Sequence, residues 1–172
     1  MLTPAPRQTG VSLLELMVGL AVLALLLFVG LPNFRDWMQN TQIRTLAESV
    51  LNGLQLARAE AVKRNTQVSF ALNGTSWTVS VVSTGETIQT RSAQEGTANA
   101  AVAVAPAGTT SVAFNGLGRT TAGANVVFSV TNPAGGVCQP AGPMRCLDVE
   151  APIGGQVRMC DPILPVTDPR AC

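Results

Sequence analysis

One stretch of this 172-residue chain is almost entirely apolar: residues 11–31 read VSLLELMVGLAVLALLLFVGL. The stretch contains a single charge, Glu15, and a single hydroxyl, Ser12. At 1.5 Å per residue, a helix of this length is long enough to cross the hydrocarbon core of a bilayer. The whole chain has only 12% charged residues, against about 25% in soluble domains. The sequence therefore predicts one membrane-spanning segment and one water-soluble domain.

The composition excludes several kinds of active site. The chain has no His and no Tyr, which removes Ser-His-Asp and Cys-His catalysis and His-containing zinc sites. Asp148, Glu150 and Asp161 match no EF-hand spacing, and we interpret them as solvated acids. The net charge of +1 gives none of the basic character that is typical of nucleic-acid-binding domains. We expect no enzyme activity, no catalytic residue, no cofactor and no metal.

The N-terminus differs from an ordinary secretory signal. Its first ten residues carry one charge, Arg7, and no Ala-x-Ala cleavage site follows the apolar run. A carboxylate inside a membrane costs about 2.5–3.5 kcal/mol, so Glu15 requires a cationic partner. Cleavage after Gly10 would create that cation, because the new α-amino group of Val11 would lie one helical turn from Glu15.

Residues 10–18, GVSLLELMV, resemble the class III signal of type IV pilins and type II secretion pseudopilins. The resemblance implies that a prepilin peptidase cuts after Gly10 and N-methylates Val11, where the family usually has Phe. It also implies that Glu15 promotes assembly by neutralising the amino terminus of a neighbouring subunit. The partners implied are other pilins, bound through the N-terminal helix, the peptidase and the lipid of the inner membrane.

Gly30 and Pro32 interrupt the apolar run, which predicts either a helix end at Leu31 or a kink. Helical periodicity resumes at once, which favours a kinked helix over residues 12–64. One face of its second half is apolar and is expected to pack on a sheet: Ile43, Ala47, Val50, Leu54, Ala57 and Ala61. The opposite face is polar and is expected to be solvated: Arg44, Glu48, Asn52, Arg58 and Lys63.

The residues at the end of this helix resemble one particular group of pilin-like proteins. Residues 56–65, LARAEAVKRN, are similar to the helix end of the GspH/FimT group of minor pseudopilins and minor pilins. Asn65 is also expected to cap the helix in a left-handed conformation. Residues 114–119, FNGLGR, resemble a strand-turn element of the same group.

After Asn65 the periodicity changes to the alternation of β-strands. Strands are predicted over residues 68–72, 77–81, 87–91, 100–105, 111–114, 126–131, 145–150 and 156–160. The predicted fold is α+β and pilin-like: one long N-terminal helix packed on a C-terminal, antiparallel, sandwich-like β domain. The expected parts are a prepilin leader (1–10), a transmembrane half-helix (11–31), an amphipathic half-helix (32–65) and a periplasmic GspH/FimT-like domain (66–172).

The four cysteines are Cys138, Cys146, Cys160 and Cys172. An even number behind a membrane segment favours two disulfides in an oxidising compartment over four reduced thiols. Three connectivities are possible. Sequential pairing closes the shortest loops and is the pairing that we favour.

Residues 154–160, GGQVRMC, resemble a Gly-Arg-x-Arg motif of FimT-type pilins that bind DNA during natural transformation. Gln156 replaces the first arginine of the motif, so that only Arg158 is left, and Arg145 and Arg170 are further candidates for DNA contact. So few arginines give few phosphate contacts, which set the affinity for DNA. A DNA-binding minor pilin is therefore the alternative function.

The leading hypothesis is a minor pilin or pseudopilin of a type IV pilus or a type II secretion system, acting at the filament tip or in assembly initiation. The resemblance implies a single-pass inner-membrane protein with a periplasmic C-terminal domain, which then enters a filament. After an enzyme, which the composition disfavours, a further alternative is an uncut, single-pass periplasmic protein that forms no filament.

Overall fold

The computed structural model describes residues 12–93, 97 and 99–172. It divides into two compact units, of which the first ends at Arg35 and the second comprises Asp36–Cys172. Helix α1, Leu13–Arg64, contributes residues to both. The assignment stays helical through residues 31–33, so continuation of the helix is confirmed and a helix end at Leu31 is wrong. None of the helical segments in the described part of the chain combines the length and apolar character that spanning a bilayer requires.

The predicted apolar face of the second half of α1 is confirmed. All six of its residues are fully buried: Ile43, Ala47, Val50, Leu54, Ala57 and Ala61. The helix ends at Arg64, and the next residue, Asn65, has a left-handed φ of 49°. The amide of Asn65 donates to the Val62 carbonyl at 3.3 Å, and that of Thr66 donates to the Ala61 carbonyl at 3.2 Å. The predicted cap is therefore present, and it satisfies carbonyls that the last turn leaves unpaired.

Eight strands form two antiparallel sheets of four. The strands are β1 Val68–Asn73, β2 Ser76–Val81, β3 Thr87–Arg91, β4 Ala101–Ala105, β5 Ser111–Phe114, β6 Val126–Thr131, β7 Leu147–Ala151 and β8 Arg158–Cys160. The first sheet has the order β3-β2-β1-β5 and the second β4-β6-β7-β8. A short 3₁₀ helix, Pro133–Gly135, follows β6. The predicted α+β, pilin-like fold is confirmed.

Helix α1 and both sheets share one hydrophobic core. Phe70 of β1 packs edge-on against Phe128 of β6, with ring centroids 5.8 Å apart, which joins the two sheets. The helix approaches β1 closely at Gly53, because a Cβ there would lie 2.6 Å from the Phe70 ring. The indole nitrogen of Trp77 donates to Ser49 Oγ at 2.8 Å, which pairs the one polar atom of that buried ring.

The last two strands begin two residues later than alternation predicts. Residues 145–146 precede β7 because they have other partners: the Arg145 amide donates to Asn40 Oδ1 on the helix at 2.7 Å, and Cys146 is in a disulfide. Gln156 and Val157 precede β8, where they line a cavity beside α1. At Arg145 and Cys146, tertiary contacts thus take the place of strand pairing.

Candidate functional site

The predicted processing residues Gly10 and Val11 lie outside the described residues. Ser12 lies at the start of α1, where its Oγ accepts a hydrogen bond from the Glu15 amide at 3.2 Å. Ser12 is thus the N-cap, and Ser-x-x-Glu is the spacing of a capping box. Sequence reasoning missed that Ser12 caps the helix, although its spacing from Glu15 signals this role. In the part of the chain that the structure describes, no cation pairs with the Glu15 carboxylate.

The first half of α1 presents apolar side chains on all sides. Between Leu13 and Phe28, every large apolar side chain is 52–83% exposed. Removing apolar surface from water is favourable by roughly 25 cal/mol per Å². Such a surface is stable only when lipid or other helices cover it.

The four cysteines form two disulfides in the sequential pairing, Cys138–Cys146 and Cys160–Cys172. The second bond closes the segment 161–171, which is also held by hydrogen bonding of the Asp161 amide to the Arg170 carbonyl at 2.8 Å. Glu150 lies close to Cys160 and Cys172 in a cluster of metal-ligand type. Because those sulfurs are bonded to each other, neither is a thiolate able to bind a metal.

Two of the three candidate DNA-contacting arginines lie beside the same cavity. Arg145 and Arg170 line a cavity of about 390 Å³ together with Trp37, whereas Arg158 is not among its lining residues. Arg145 Nε donates to Asp161 at 2.9 Å, and Arg170 forms two bonds with Asp168.

Arg158 Nε donates to Glu150 at 2.8 Å, and its terminal nitrogen donates to the Cys172 carbonyl at 3.3 Å. A carboxylate therefore offsets each of the three arginines. This pairing weakens the field that would attract phosphate, and nothing in the described residues favours DNA binding.

The acids near these arginines differ in their burial and in their pKa values. The expectation that Asp161 is solvated is wrong: it is only 5% exposed, and it accepts bonds from Arg145 and from the Ile163 amide. Its burial is tolerated because Arg145 and that amide pair with it. Burial raises the pKa of Asp148, against a lowering hydrogen bond from Ser129. The side-chain and backbone hydrogen bonds of Arg170 lower the pKa of Asp168 to about 2.

The segments that resemble the GspH/FimT group meet at Gly118. Arg58 Nε donates to the Gly118 carbonyl at 3.0 Å, so Arg58, which is expected on the solvated face, is only partly exposed and also contacts this turn. A Cβ at Gly116 would collide with Asn65 at the helix end, and one at Gly155 would collide with the Gly118 carbonyl. The helix end, the turn at 115–119 and the segment 154–157 thus pack at distances that need glycine.

A cavity of about 500 Å³ lies beside this contact. Its lining comes from the end of α1 and from the segment before β8: Gln55, Arg58, Ala59, Val62, Lys63, Gln156 and Val157. The lining includes no carboxylate, in contrast to the cavity beside Trp37, which includes Asp161.

A long N-terminal helix, apolar and exposed at first and then buried against an antiparallel β domain, defines a pilin-like structural protein. The family model for the type II transport protein GspH matches residues 46–151, and that for the prokaryotic N-terminal methylation motif matches residues 5–31. The chain therefore belongs to the GspH family. The family and the fold are those of structural pilins.

Two crystal structures of the type IV minor pilin FimU of Pseudomonas aeruginosa have a similar fold. One, in space group P21, has a TM-score of 0.57 at 16% identity and covers 79% of this chain and 98% of that chain. The other, in space group P65, has a TM-score of 0.52 at 16% identity and covers 75% and 98%. Comparison with curated protein sequences gave no match.

Proposed function

We propose that this chain is a minor subunit of a type IV pilus or of a type II secretion pseudopilus. The observation that carries the proposal is a change in the exposure of the apolar side chains along α1. Between Leu13 and Phe28 the large apolar side chains are exposed, whereas the stripe from Ile43 to Ala61 is sealed in the core. A helix of this kind has one half available for lipid or for the helices of other subunits, and one half that carries a folded domain.

In this proposal a prepilin peptidase cuts after Gly10 and methylates Val11. The methylation-motif match over residues 5–31 supports the step. Residues 11–31 then hold the chain in the inner membrane as a single span, with the β domain in the periplasm. The two disulfides support that placement, because disulfides persist in oxidising compartments such as the periplasm.

Assembly in the proposal depends on Glu15. A carboxylate surrounded by apolar helices is unfavourable unless a cation pairs with it. The methylated α-amino group of a neighbouring subunit would supply that cation. The helix N-terminus, with its partial positive charge and the hydrogen bond between Ser12 and the Glu15 amide, holds Glu15 in place until then.

The first experiment is the mass of the N-terminal peptide from membranes and from sheared filaments of the native host. A peptide that begins at methylated Val11 and is present in the filament fraction is the expected result. An intact Met1, with the chain confined to the membrane, would overturn the proposal. Repeating the fractionation in strains that lack either the pilus or the secretion machinery identifies which of the two filaments takes up the chain.

A further inference from the structure

We propose that Asn73 is a site of spontaneous deamidation, at which water converts the side-chain amide to a carboxylate through a cyclic imide formed with the Gly74 nitrogen. The chain contains three Asn-Gly pairs: Asn52-Gly53, Asn73-Gly74 and Asn115-Gly116. A following glycine favours the reaction, because it has no side chain to hinder the attacking nitrogen. The fold leaves one of the three pairs free to react and holds the other two. The inference is independent of the proposed function.

The reaction balances with water as its co-reactant. The Gly74 nitrogen loses its proton and bonds to Cγ of Asn73, while the bond from Cγ to Nδ2 breaks and ammonia leaves with that proton. Water then opens the cyclic imide at one of its two carbonyl carbons. Opening at Cγ yields aspartate, whereas opening at the main-chain carbonyl carbon of Asn73 yields isoaspartate, whose backbone runs through Cγ. Either product replaces a neutral amide by a carboxylate and lowers the net charge by one.

Asn73 lies exposed at the tip of the hairpin between β1 and β2. It is the last residue of β1 and pairs with Ser76, so Gly74 and Thr75 form a two-residue loop. Gly74 has a φ of 62°, as the first residue of a type II′ turn requires, and a Cβ there would meet nothing within 4 Å. Among the described residues, neither the Asn73 side chain nor the Gly74 amide has a hydrogen-bond partner. The Gly74 nitrogen can therefore reach Cγ of Asn73 with the loss of no more than the last pair of the ladder.

The pair Asn52-Gly53 is held by α1. In the interior of a helix each amide donates to the carbonyl four residues earlier, so attack by the Gly53 nitrogen would break a helical hydrogen bond. Gly53 is also buried against Phe70, since a Cβ there would lie 2.6 Å from the ring. The Asn52 side chain is itself exposed. Exposure of the asparagine alone therefore does not decide which pair reacts.

The pair Asn115-Gly116 is held by the turn after β5. Oδ1 of Asn115 accepts from the amides of Leu117 and Arg119 at 3.0 and 3.1 Å. The Asn115 amide donates to the Arg119 carbonyl at 2.9 Å, and the Gly118 amide donates to the Asn115 carbonyl at 2.8 Å. Turning the side chain towards the Gly116 nitrogen would break the two bonds to Oδ1. These bonds therefore protect Asn115 as long as the chain is folded.

The test is incubation of the folded, full-length chain in detergent at mildly alkaline pH, followed by peptide mass spectrometry. Deamidation adds the mass difference between OH and NH₂, and electron-transfer fragmentation separates isoaspartate from aspartate. We expect the deamidated fraction at Asn73 to grow about tenfold faster than at Asn52 or Asn115, where hydrogen bonds of the helix or of the turn must break first. Asn73→Gln should abolish the modified peptide, because glutamine cyclises more slowly through a larger ring. Asn52→Gln is the matched control and should leave the rate at Asn73 unchanged.

Unfolding in guanidinium chloride separates the effect of the fold from that of the neighbouring residues. Once the helix and the turn are lost, the three Asn-Gly pairs should react at similar rates. Equal rates at the three pairs in the folded chain would overturn the inference, as would fastest reaction at Asn52 or Asn115. A preference for Asn73 that persists in the unfolded chain would overturn it as well, because the hairpin would then not be its cause.

Discussion

Arg58 and Gly118 lie 60 residues apart in the chain, and the guanidinium Nε of one donates to the carbonyl of the other at 3.0 Å. This bond joins the end of α1 to the turn after β5. The missing Cβ of Gly118 permits the approach, since one there would lie 3.1 Å from a Val62 methyl and 3.2 Å from Arg58 Nε. Both distances are tight, and the φ of 73° at Gly118 is one that glycine adopts without strain, so glycine suits this position.

Arg58→Ala removes this bond and should lower the free energy of unfolding by about 1–3 kcal/mol, as expected for a hydrogen bond with a charged donor. Urea unfolding of the full-length chain in detergent, followed by the fluorescence of buried Trp77, measures the change. Arg44→Ala is the matched control, because Arg44 is exposed in an i,i+4 pair with Glu48. This substitution should lower the free energy of unfolding by about 0.5 kcal/mol or less. Equal effects of the two variants would contradict the structural role of Arg58.

Ser49→Ala leaves the buried Trp77 Nε1–H without its acceptor. An unpaired donor of this kind costs about 1–3 kcal/mol of unfolding free energy. A double-mutant cycle with Trp77→Phe isolates the bond, because Ser49→Ala should cost much less once the indole N–H is gone. Additive effects of the two substitutions would show that the hydrogen bond contributes nothing.

Asp168 should titrate with a pKa of about 2, against an ordinary value of 3.8, because of its hydrogen bonds with Arg170. A depressed folded-state pKa means that stabilisation is complete above the unfolded value and is lost as the pH falls from 3.8 towards 2. Carbon-detected NMR titration of the Asp168 carboxyl measures this pKa directly. Arg170→Ala should return the pKa towards 3.8, whereas Arg158→Ala should leave it unmoved.

Glu15→Gln and Ser12→Ala separate the two roles of the N-terminal turn. Glu15→Gln keeps a side chain that can complete a capping box but removes the charge, so it should abolish incorporation into filaments. Ser12→Ala removes the cap and keeps the charge, so incorporation should survive. N-terminal peptide mass, measured in parallel, should show cleavage after Gly10 in both. Normal incorporation of Glu15→Gln would rule out charge pairing.

Much of the fold follows from periodicity. Strands β3, β5 and β6 have the predicted bounds because alternation and flanking turns define them locally. The buried face of α1 follows in the same way from spacings of three and four. Local sequence patterns predict the bounds of an element and its buried face when residues within that element determine them.

The candidate site is less predictable because its contacts join distant residues. Arg58 has the spacing of a solvated face, and only the position of Gly118 in space makes it a structural contact. Likewise, alternation cannot tell that Asp161 is buried by pairing with Arg145, 16 residues away. The pairing of Arg145, Arg158 and Arg170 with acids, which decides whether they are available to DNA, depends on tertiary structure.

Helix α1 also determines where the chain can be shortened. The side-chain amide of Asn132 donates to Gln39 and Gln42, and Asn40 accepts from the Arg145 amide. These contacts precede Ile43, the first fully buried position of the apolar stripe. A water-soluble fragment must therefore begin ahead of Gln39, because one that begins at Thr66 would lose the helix that fills its core.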